Sequence, residues 1–209
     1  MKKYGIKTVI DDKMPRDLSD ISATLTKVKA LKPDLLILSG HSKGAATAAR
    51  QIKEMQIQVP IIAMTHCEAA KVISKFGDST NGYLCPTQWA ETLSYSDNLF
   101  GAASSYDLLF KGTYEGYKNV LYQAAQASAA VMVWKDAFER ANSFDTEKVR
   151  DALADTNMST FYGNIKFSDA GNNIAKPMVL RQIQNGKLNV VAPLKWASHP
   201  VQYPRNVKY

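Results

Sequence analysis

The feature that most constrains this chain is the alternation, between residues 35 and 85, of short unbroken apolar runs with stretches of helical periodicity. Residues 35–38 (Leu-Leu-Ile-Leu) follow Lys32-Pro33-Asp34. The residue before a proline is pushed out of the α region, so the preceding helix, marked by Ile21, Leu25 and Val28, stops there. Ser39-Gly40-His41-Ser42 then leads into a second helix with Ala45, Ala48, Ala49, Ile52 and Met55 on one stripe. Residues 59–64 form the next apolar run, a helix from about 68 to 76 ends at Gly77, and 83–86 is one more strand. The β-branched run at 6–10 is expected to be a strand ahead of the first helix, with a loop around Pro15. Continuous apolar runs suit strands buried on both faces, and the βαβα order implies a parallel sheet in an α/β fold.

The character changes at Pro86. Residues 87–98 are polar, with Trp89 and Tyr95 among them, and three helices are predicted over about 99–111, 122–141 and 146–154. The middle one is alanine-rich, with Trp134 and Phe138 one turn apart, and Asp145 is the expected N-cap for the last. A strand at 165–167 precedes an Asp169-Ala170-Gly171 turn. Residues 177–184 and 188–192 flank Asn185-Gly186, a strong hairpin signal.

Charge and composition remove several classes. Twenty-six Lys and Arg against nineteen Asp and Glu give a net charge of +7 over 209 residues, but no run of five basic residues occurs, which argues against nucleic acid as a partner. With 45% hydrophobic and 22% charged residues, a disordered chain is excluded. No apolar stretch approaches the roughly 20 residues that span a bilayer. Met1-Lys2-Lys3 resembles the start of a leader, yet Asp11-Asp12-Lys13 interrupts any hydrophobic region, so no export signal is read in the chain as written. Cys67 and Cys85 form one bridge or none.

Two segments can carry chemistry. Gly40-His41-Ser42-Lys43-Gly44 between a strand and a helix matches the G-x-S-x-G turn of an α/β serine hydrolase, with Ser42 as nucleophile. His199 would serve as base and Asp155 or Asp169 as acid, but no glycine-rich oxyanion loop lies upstream of Gly40; the plainer reading has Ser42 cap the helix. Alternatively the same turn binds a ligand, because open α/β sheets receive ligands outside the carboxyl ends of their strands. Ser39, Gly40, His41 and Ser42 follow one strand there, and Thr65, His66, Cys67 and Glu68 follow the next. His41 with His66, Cys67 and Glu68 lacks metal-ligand spacing, so neither metal nor cofactor is assigned, and Cys67 is a ligand-facing or buried thiol. Trp89 and the tyrosines belong to core or rim, one or two of them serving as pocket walls.

The order of segments resembles the branched-chain amino-acid type of periplasmic solute-binding protein, the two-lobed receptors of ABC importers. The resemblance rests on Leu25 to Asp34 before the buried strand, Arg50 to Met55, Pro86-Thr87-Gln88-Trp89, and Lys148 to Leu153. It continues through Thr160-Phe161-Tyr162-Gly163 to Phe167, and Gly171-Asn172-Asn173 to Met178. It implies a periplasmic-binding-protein-like α/β fold: one open parallel βα lobe plus the returning helices of the other lobe. Residues 1–85 and 176–209 would belong to lobe two and 86–175 to lobe one, most of which would be missing. It further implies a small-molecule ligand such as an amino acid, amide or aromatic acid, held by Ser39, Gly40, His41, Ser42, Thr65, His66, Cys67, Glu68 and Trp89. Permease subunits would be partners and the periplasm or cell exterior the location of the full receptor. Helices deprived of their sheet are expected to drive homo-oligomer formation.

Overall fold

The computed structural model describes residues 2–14, 19–117, 119–205, 207 and 209; the loop expected around Pro15 lies outside them. The chain divides into two compact units, Met1–Pro86 with Leu180–Tyr209, and Thr87–Val179.

In the first unit, α1 (Ser22–Leu31), β1 (Leu35–Leu38), α2 (Ser42–Glu54), β2 (Ile61–Met64), α3 (Ala70–Phe76) and β3 (Leu84–Thr87) alternate as the hydrophobic pattern requires. Lys32 closes α1 in the left-handed conformation, just before Pro33. Gly77, at φ +49°, terminates α3. The strands β1, β2 and β3 are parallel, with Leu35 to Leu38 beside Ile61 to Met64 and Ala63 beside Leu84. The sheet is completed in the order β1-β2-β3-β8-β9 by the antiparallel pair β8 (Val179–Gln184) and β9 (Lys187–Ala192). Asn185 and Gly186 turn between them, both at positive φ, which is the twist a two-residue hairpin needs. Leu25, Ala49, Ile52, Ile62, Met64, Val72 and Ile183 form the core of this unit. The C-terminal tail is tied back onto it. Arg205 donates to Ser79 O at 2.9 Å, and the Tyr209 hydroxyl donates to Ile57 O at 2.8 Å.

Two expectations fail here. Residues 6–10 are not a strand, and Ile6 and Val9 are exposed; β-branched residues favour strands only where a neighbour and a covered face receive them. Nor is β1 buried on both faces: it is an edge strand with Ile37 51% exposed.

The second unit contains the short hairpin β4 (Ser96–Asp97) and β5 (Gly101–Ala102), the helices α4 (Ala103–Thr113), α5 (Tyr122–Ala141) and α6 (Thr146–Ala154), and the hairpin β6 (Asn157–Thr160) and β7 (Gly163–Lys166). Asp145 caps α6 by accepting from the Lys148 amide at 3.1 Å. Helix α4 begins at Ala103, later than the periodicity suggests, because Asp97 accepts from the Leu99 and Phe100 amides and fixes a turn there.

Candidate ligand-binding edge

The loops after β1 and β2 meet at the carboxyl edge of the sheet, as neighbouring parallel strands require. One threonine joins them: the Gly40 amide donates to Thr65 Oγ1 at 2.8 Å, and the Thr65 hydroxyl donates back to Gly40 O at 2.8 Å. The Thr65 amide reaches Leu38 O at 3.0 Å. These bonds bring His41 and His66 together, with ring centroids 5.9 Å apart and the ring planes tilted by 54°. His66 adopts φ +60°, which histidine tolerates better than most side chains and which turns its loop back over the strand end. Ser39, Gly40, His41 and Ser42 are exposed, whereas Thr65 and His66 are half-buried.

Cys67 and Glu68 point the other way. Cys67 is joined to Cys85 of β3 in a disulfide buried on both sides, so the free-thiol reading is corrected: no reactive sulfur faces the edge. Glu68, 4% exposed, is paired at 3.9 Å with Arg181 of β8, whose side chain is equally buried. Arg181 went unread in the sequence although it alternates along β8 with Ile183, a core residue.

Trp89 belongs to the second unit. It is fully buried within the second unit, where its ring meets Tyr106 and Phe161 edge-on and its Nε1 donates to Phe161 O at 3.2 Å. Nearby in that unit, the Tyr162 hydroxyl donates to Gln88 Oε1 at 2.8 Å, and Lys176 lies 3.8 Å above the Tyr162 ring while donating to Gln88 O. Burial pushes the Lys176 amine down to about 8. Gly163 adopts φ +142°, and a Cβ there would also have to displace the Lys176 stem, so glycine suits this position.

The hydrolase geometry is not supported. Ser42 is the first residue of α2 and His41, in extended conformation, is the N-cap, so Ser42 is not the cap either. Ser42 is not among the positive-φ residues, and the His199 ring hydrogen-bonds Ser198 at 3.0 Å. Asp155 and Asp169 belong to the second unit. Among the described residues no group of three His, Cys, Asp or Glu side chains is placed to hold a metal ion. No helix among them is long and apolar enough to cross a membrane.

The family model described as "Periplasmic binding protein" matches residues 1–187. This chain belongs to the periplasmic binding protein family. Among curated relatives, the Leu/Ile/Val-binding protein BraC3 of Rhizobium johnstonii is 25% identical over 188 residues, covering 88% of this chain and 48% of its own length. The leucine-binding protein LivK of Thermotoga maritima superposes with a TM-score of 0.72 at 26% identity, over 83% of this chain and 48% of that one. A solute-binding protein of an ABC transporter from Rhodopseudomonas palustris, solved in complex with benzoate, shares the fold with a TM-score of 0.63 at 19% identity, over 83% of this chain and 46% of that one. The chain thus spans about half the length of these relatives.

Proposed function

We propose that this chain is a non-catalytic ligand-binding portion of a solute receptor serving an ABC importer, receiving a small organic ligand at the two joined loops through Ser39, Gly40, His41, Ser42, Thr65 and His66. The observation that carries this reading is the Thr65–Gly40 tie, which holds exposed polar groups at the one sheet edge where α/β folds take ligands. Family membership supports it, as do relatives named for leucine, isoleucine and valine. The buried disulfide suits an oxidising compartment such as the periplasm, where permease subunits would be the partners.

Because Ser39, Gly40, His41 and Ser42 stand in solvent, each hydrogen bond competes with water and adds only about 0.5–1.5 kcal/mol. Dissociation constants for this edge are therefore expected near 1 mM, about 4 kcal/mol. Calorimetric titration with leucine, short amides and benzoate, beside an ester-hydrolysis assay of wild type and Ser42→Ala, tests the reading. Weak binding without turnover supports it; esterase activity that vanishes in the variant overturns it.

A further inference from the structure

The two loops contain a single acidic residue between them, Glu68, and it is withdrawn from the surface into the pair with Arg181. What the loops leave exposed or half-buried is rich in donors: the imidazoles of His41 and His66 with centroids 5.9 Å apart, the hydroxyl of Ser42 and the ammonium of Lys43. An α-amino acid brings an ammonium group, and this edge offers it no exposed carboxylate, only the like charge of Lys43 at the start of α2. A ligand whose only charge is a carboxylate meets no such repulsion.

We propose that this edge takes monocarboxylic acids in preference to the matching α-amino acids, with His41 and His66 as the carboxylate's donors. Arg181 is the positioning residue that sets this preference by holding Glu68 inside. The inference rests on the receptor reading above and narrows its ligand class.

The test uses a matched pair of probes, leucine and 4-methylpentanoate, which differ only by the amino group, titrated into the full chain by calorimetry or NMR. Wild type should bind 4-methylpentanoate at least about tenfold tighter than leucine, the size of one charge-assisted hydrogen bond. Glu68→Gln, nearly isosteric, should leave leucine affinity unchanged. Arg181→Gln, which releases the carboxylate, should move the preference towards leucine, and Arg181→Lys should restore that of wild type. A merely structural arginine would change stability without changing this ratio. Equal or tighter leucine binding by wild type, or selective loss of leucine in Glu68→Gln, overturns the inference and leaves the receptor reading standing. If neither probe nor any amide or aromatic acid binds, the receptor reading falls and the inference with it. Should Arg181→Gln fail to fold, the wild-type ratio and Glu68→Gln decide the matter.

Discussion

The two units solve the problem of burying apolar surface differently. The first lays three helices on a five-stranded sheet and closes an aliphatic core in which Leu25, Ala49, Ile52, Ile62 and Ile183 are fully buried. Among its described residues the second has only two-stranded hairpins to offer its helices, and its centre is aromatic: Trp89, Phe100, Tyr106 and Phe161 pack edge-on or stacked, with Tyr106 and Phe161 4.0 Å apart. Outside that centre, Leu108 is 72% exposed, Val131 68% and Phe144 90%, and Trp134 stacks on Phe138 at the surface. A helix stripe needs a sheet or a second helix layer to cover it, and the difference shows what each unit lacks or holds.

The comparison is most easily broken at the aromatic centre. Trp89→Ala should destabilise the second unit by about 3–5 kcal/mol, through the lost burial and the cavity left behind. Hydrogen exchange should show the loss in 87–179 and little change in the first unit. Protection lost equally in both would make the division fictitious. The converse test is the disulfide. Replacing Cys67 and Cys85 by serine opens a loop of 18 residues and should destabilise the first unit by about 3 kcal/mol, leaving amide protection in α5 and α6 intact.

How much of this was legible beforehand follows the range of the forces. Helices α5 and α6 fall where periodicity and the Asp145 cap put them, and Asn185-Gly186 makes its hairpin, because these are decided within a few residues. The hairpins β4–β5 and β6–β7 were largely missed, since pairs of two to four residues carry little periodicity of their own. Residues 6–10 have strand composition without a strand, because a strand is a property of its neighbours. At the candidate site, the loops 39–42 and 65–68 were legible from their place after two short apolar strands. The inward turn of Glu68 depends on Arg181 from β8, and the burial of Trp89 on Tyr106 and Phe161, which no local pattern specifies.

Smaller effects sharpen the contrast. Thr65→Val removes both bonds to Gly40 and should loosen the first unit by about 1–3 kcal/mol, at about 0.5–1.5 kcal/mol for each exposed hydrogen bond. Its thermal shift should be accompanied by faster exchange of the Gly40 amide. In the second unit, pH is the probe. Lys176 titrates near 8 in the folded chain against an ordinary 10.5, so between those values the unfolded chain holds a proton that the folded chain has released. Stability of this unit should therefore rise as pH increases from about 8 to 10.5, and Lys176→Met should flatten the rise. The smallest change in stability is expected from Leu108→Ser with Val131→Ser, within about 0.5 kcal/mol because both are exposed. That variant should nonetheless weaken self-association, which we propose these uncovered faces drive. Light scattering that finds wild type a stable monomer at micromolar concentration would count against this.

The most direct test of the central claim is an amide NMR map of the full chain during titration with 4-methylpentanoate to tens of millimolar. Shifts should concentrate at residues 39–42 and 65–68, with His41→Ala and His66→Ala each reducing them, and with little response from the amide and indole of Trp89. Shifts centred elsewhere, or none from any small acid, amide or amino acid, would contradict it.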